Sequence, residues 1–125
     1  MSSASRIGEL SGAVERELAA VPDQHRRLLW LSNHLVEYVD RLQGFSRLPS
    51  VEMDALMQSD FLVMVEIAAS RLEQEVSPSP HLALPRARYA SVAEALQTLR
   101  REPHPRLVEV LVERVKELHH AVNGA

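Results

Sequence analysis

Leu28-Leu29-Trp30-Leu31-Ser32-Asn33-His34-Leu35-Val36-Glu37-Tyr38-Val39-Asp40-Arg41-Leu42 is the stretch that decides the fold. Leu28, Leu31, Leu35, Val39 and Leu42 recur at steps of three and four, which at about 100° per residue puts them on one side of a helix. Trp30, His34, Glu37 and Arg41 fall roughly opposite. The helix is expected over about 22–43, with Pro22 suited to its first position and Gly44 able to supply a left-handed stop. Toward the N-terminus, Ile7, Leu10, Val14, Leu18 and Val21 repeat the pattern and predict a helix over 5–20. Pro22 disfavours helical geometry at Val21, so a break is expected there. Ile7, Val14, Val21, Leu28, Leu35 and Leu42 nevertheless keep seven-residue spacing across the proline. One continuous kinked helix is the alternative.

Toward the C-terminus, Ser50 can cap a helix over 51–76, with Glu52 and Asp54 in the first turn complementing the helix dipole. Its segment Phe61-Leu62-Val63-Met64-Val65 is apolar all round, which predicts a central helix in the densest part of the core. Pro78, Pro80 and Pro85 make 77–85 a stiff, partly extended crossover. Ser91 and Glu94 form a capping box that would open a short helix over 92–101. Pro105 then suits the first turn of a helix over 105–123, with Val108, Leu111, Val115, Leu118 and Val122 as its buried stripe and Gly124 at its end. The expectation is a single all-α domain over 1–125. It would be a compact antiparallel bundle of four to five helices, in which 5–20, 22–43, 51–76 and 105–123 pack together and the short fourth helix lies on the crossover.

Composition agrees. The chain has 125 residues, 46% hydrophobic and 25% charged, enough for one soluble globular domain with a modest core. Four glycines and a single threonine among abundant Leu, Ala, Glu, Arg and Val argue against an all-β or Rossmann-type fold. The absence of cysteine excludes disulfides, thiolate nucleophiles and zinc–thiolate or iron–sulfur sites, and it suits a reducing cytoplasm. The N-terminal segment lacks the apolar core of a signal peptide, and no window approaches the roughly 18 apolar residues of a membrane span. A cytoplasmic protein with no membrane partner is expected.

The net charge of −3 is unevenly spread, with −5 over residues 1–80, +3 over 81–106 and −1 over 107–125. Arg86, Arg88, Arg100, Arg101 and Arg106 make the middle segment a candidate anion site. That charge is small for a phosphate-tracking surface, and Tyr89 is its lone aromatic residue, so nucleic acid could be held there only through phosphates.

A second candidate surface faces away from the leucine stripe. Trp30, His34 and Arg41 need a cover, supplied by another layer of the same chain or by a partner, for which Trp and Arg are common anchors. Met53, Met57 and Met64 form a stripe on the 51–76 helix that reads as core filler or as a groove for a foreign amphipathic helix. Asp60 sits on that stripe and, if buried, requires a partner such as His34, Tyr89 or an arginine of 86–106.

The six histidines show no i, i+4 pair, and Glu117 to His120 is the only Glu-x-x-His, so no metal site and no cofactor is expected. Arg114 to His119 is Arg-x4-His and Arg27 to His34 is Arg-x6-His, which resembles the spacing of HEPN-type helical ribonucleases. That resemblance covers a few residues only. It implies an arginine holding phosphate and a histidine transferring a proton. No phosphate loop or nucleophile elbow is present, and Lys116 is the only lysine. The expected function is a non-catalytic interaction module, an adaptor, small helical chaperone or complex subunit that binds another protein or itself as a homodimer. The alternatives are a HEPN-like ribonuclease using Arg114 and His119, or a phosphate-contacting nucleic-acid subunit.

Overall fold

A computed structural model describes the backbone of residues 3–47 and 52–124 and the side chains of 8–47 and 52–124. The chain is all-α. The helices are α1 (Ser3–Ala19), α2 (Gln24–Ser46), α3 (Met53–Met57), α4 (Asp60–Val76), α5 (Ala83–Arg101) and α6 (Pro105–Asn123), with a 3-10 turn at Pro80–Leu82 before α5.

α2 is the spine. Leu28, Leu31, Leu35, Val39 and Leu42 are completely buried, each contributing about 1.5–3 kcal/mol of transfer free energy. α2 packs on α4 along one side and α6 along the other, and α5 joins α4 to α6 and closes the ring. Side-chain bonds give the directions. Gln24 at the start of α2 donates to the Glu75 carbonyl and Ser79 Oγ at the far end of α4, both at 3.0 Å. Tyr89 bonds Glu73 while Arg100 pairs with Glu66, so α5 runs against α4. Arg88 pairs with Glu117 at the end of the α5–α6 pair away from its connection.

The bundle expected from the sequence needs four corrections. First, its fourth core helix is α5, and α1 lies outside the ring against α4. α5 spans Ala83–Arg101 rather than 92–101, because Pro85 occupies its third position, where a backbone N–H has no intrahelical acceptor to lose. Ser91 and Glu94 therefore lie inside a running helix and cap nothing, and the crossover shrinks to Ser77–Ser79 and the 3-10 turn.

Second, the helix expected over 51–76 breaks at Gln58–Ser59, where Ser59 Oγ accepts from the Leu62 N–H at 3.4 Å and starts α4 anew. Ser50 lies outside the described residues, and Glu52 is the residue preceding α3. Third, the Phe61–Val65 segment is not the densest core, since Phe61, Val63 and Met64 remain partly exposed. α4 does have neighbours on three sides, in α1, α2 and α5.

Fourth, Gly44 stops nothing. α2 runs through it to Ser46, and no described glycine has a positive φ. The break at Pro22 is present, although α2 begins at Gln24 behind Asp23, whose carboxylate accepts from the Arg26 N–H at 3.1 Å. α6 starts at Pro105 as expected, and His104 Nδ1 accepts from the Arg106 N–H at 3.0 Å. Among the described residues no helix is long and apolar enough to cross a membrane.

Candidate functional site

Trp30, His34 and Tyr38 stand one turn apart on α2, the spacing that aligns side chains on one helix face. The Trp30 and His34 rings stack with centroids 4.0 Å apart, and Tyr38 continues the ladder 6.0 Å beyond. His34 Nδ1 lies 2.8 Å from the Trp30 carbonyl. A carbonyl only accepts, so Nδ1 carries the proton and the ring is fixed over the indole. With Ala13, Val14 and Glu17 of α1 and Met64 of α4, the ladder lines a cavity of about 350 Å³. Burial, and then the Glu37 charge, pushes the Tyr38 phenol up.

Of the residues singled out in the sequence, this groove gathers Trp30, His34 and Met64. The rest lie elsewhere. Arg41 pairs with Glu37 at 2.8 Å on the exposed side of α2. Met53 and Met57 belong to α3 and pack partly buried against the core, so the methionine stripe is divided by the break at 58–59. Asp60 is exposed as the first residue of α4, where its charge complements the helix dipole, rather than buried on an apolar stripe. The second layer over Trp30 is α1 and α4 of the same chain, and it leaves the indole partly exposed. Sequence reasoning missed Tyr38, although its i+4 step from His34 was legible.

The candidate anion arginines do not converge. Arg86 and Arg88 lie near the start of α5 and Arg100 and Arg101 at its end, so some 12 residues of helix separate them, about 18 Å. Arg88 holds Glu117, Arg100 holds Glu66 and donates to the Met57 carbonyl, and Arg106 lies on α6. Arg100 and Arg101 border a depression of about 470 Å³ between α4 and α5, floored by Ala69, Ala93 and Leu96.

Neither Arg–His pair meets over a cleft. Arg114 reaches toward Glu117 at 3.6 Å. His119 Nδ1 lies 2.8 Å from the Oγ of fully buried Ser32, and its Nε2 lies 3.1 Å from Asn123 Nδ2. Ser32 gives its own proton to the Leu29 carbonyl at 3.2 Å, so Nδ1–H donates to Oγ and Nε2 accepts from the asparagine. Both ring nitrogens are thus engaged, Nδ1 in joining α6 to α2 and Nε2 within the last turn of α6.

Arg27 is held likewise. Its guanidinium grips Glu75 through Nε and Nη2 at 2.9 and 3.2 Å and donates through Nη1 to the Val21 and Pro22 carbonyls. Glu75, 8% exposed on the core face of α4, also receives Arg71 at 3.0 Å, and Arg71 extends to Glu15 of α1 at 2.7 Å. The Glu75 bond raises the Arg27 pKa further. The signal for this network was a carboxylate beside Leu72 and Val76, a charge on an apolar stripe. No group of three or more His, Asp or Glu side chains among the described residues is arranged to hold a metal ion. Comparison with protein-family models, with curated proteins and with solved structures gives no match.

Proposed function

We propose that the protein is a non-catalytic interaction module, a helical adaptor or complex subunit, whose binding face is the Trp30–His34–Tyr38 groove. The observation that carries this reading is the aromatic ladder, with Trp30 and His34 stacked and Tyr38 tilted beyond them, left partly exposed between α1 and α4. Amphipathic aromatics in a preformed groove provide large contact area at little entropic cost, and a helical segment placing apolar residues one turn apart would match the ladder's own spacing. The engagement of Arg27, Arg114 and His119 by structural partners weighs against assigning them catalytic roles.

The test is parallel affinity purification with the wild type and a Trp30→Ala variant. A stoichiometric protein lost from the variant supports the reading. Retained nucleic acid with no protein partner, or a partner equally retained by both, refutes this face as the docking site.

A further inference from the structure

We infer that α1 is an exchangeable arm, and that the partner it fits is a second copy of this chain, α1 of each copy seating on α4 of the other. α1 sits as an outer layer whose main neighbour is α4, with Val14 and Leu18 4% and 3% exposed and Glu15 meeting Arg71 at 2.7 Å. That seat gives α1 apolar cover and an ion pair. An identical α1 from another copy would make the same contacts, so exchange costs nothing at the seat and is decided at the linker.

The linker, Ala20–Asp23, is short, and its carbonyls show how it would open. Arg27 Nη1 satisfies the Val21 and Pro22 carbonyls at 3.2 and 2.6 Å, acceptors that a helix running through the linker would instead give to the amides of His25 and Arg26. The seven-residue spacing of Ile7, Val14, Val21, Leu28, Leu35 and Leu42 carries one apolar face through that longer helix. Pro22 opposes it, having no N–H to donate to the Leu18 carbonyl. Pro22 and the Arg27 clamp therefore hold the arm at home, and concentration drives it out. The inference concerns the same face as the interaction reading but does not depend on a foreign partner.

The test uses the cysteine-free background. Ser11 of α1 and Ser70 of α4 line one cavity, so S11C and S70C lie within reach of a short bis-maleimide when α1 is seated. Equal amounts of the two single variants are mixed over a concentration series, cross-linked and run on a denaturing gel. Exchange gives a doubled mass joining S11C of one chain to S70C of another, rising with concentration and about tenfold or more abundant in a Pro22→Ala background, where the linker no longer opposes a helix.

The S11C/S70C double variant, cross-linked at high dilution, checks the reach, and its failure to close within one chain overturns the seat and the inference together. Absence of the mixed pair in both backgrounds, or S11C–S11C and S70C–S70C pairs formed as readily, also overturns it. Either result leaves the Trp30-dependent capture of another protein to be judged on its own.

Discussion

Replacing Glu75 with Gln removes a charge that two guanidiniums share inside the bundle. Removing one member of a fully buried pair costs about 3–5 kcal/mol, because the charge left behind cannot reach water. Here the Glu75 side chain is 9% exposed while those of Arg27 and Arg71 are 23% and 21% exposed, so both cations can partly rehydrate. Arg71 also keeps Glu15, and Arg27 keeps two carbonyls. The expected loss is therefore about 2–3 kcal/mol, below the fully buried value and above the 0–1 kcal/mol of a surface pair. With an unfolding entropy of about 2.1 cal/mol/K per residue over 125 residues, Tm should fall by about 8–11 °C. Thermal and urea unfolding followed by circular dichroism measure this, with Glu15→Gln as control. Glu15 is 56% exposed, and its loss should cost at most about 0.5 kcal/mol. If the two variants melt together, the guanidinium bridge carries no net stability and the reasoning fails.

Three further outcomes are expected. Burial, and then the bond to Glu73, pushes the Tyr89 phenol up to about 12. A raised pKa contributes stability that is complete below the ordinary value of 10 and lost as pH rises through about 12, so Tyr89 should ionise last in an absorbance titration; two tyrosines ionising together near 10 would contradict this. Ser32→Ala strands the Nδ1–H of His119 and should cost about 1–3 kcal/mol, and a Ser32→Ala/His119→Leu double variant should lose less than the sum of the single changes. Strict additivity would mean the two side chains are not bonded. The Arg26 N–H holds the Asp23 carboxyl below its ordinary 3.8, so its contribution is present above 3.8 and lost as pH falls through the lowered value. Asp23→Asn, which still caps, should weaken the acid dependence of unfolding; an unchanged acid transition would rule out a role for that charge.

How far the sequence could be read depended on whether a feature repeats. The stripes of α2 and α6 recur every turn, so Leu28 to Leu42 and Val108 to Val122 located both helices and their buried faces. Helix ends hang on single residues, and there the reading divided. Pro85 looks like a breaker until one sees that it falls within a first turn, and Ser91 looks like a cap until the helix is found already running. Ser59 was equally able to cap, yet Met53, Met57 and Met64 fall on one helical face across it and concealed the break. Which helix stays outside the ring depends on packing among elements distant in sequence, which no local pattern encodes. The aromatic ladder was half visible for the same reason. Trp30, His34 and Tyr38 share a helix, whereas Met64 and the α1 residues arrive through tertiary packing.

The closure of the ring also bears on how the chain folds. α5 and α6 are joined by three residues and pack along their length, so the loop that brings them together is short. α2 meets α6 through Ser32 and His119, 87 positions apart, and that contact can form only after a long loop is closed. The hairpin of α5 and α6 is therefore expected to organise the folding transition state, with truncations at Leu99 and Leu111 slowing folding and truncations at Leu31 and Val39 mainly speeding unfolding. The last seam to zip would then be the one between α2 and α6. A chain caught before that step would present the leucine face of α2, a continuous apolar stripe, to a chaperone or an aggregate.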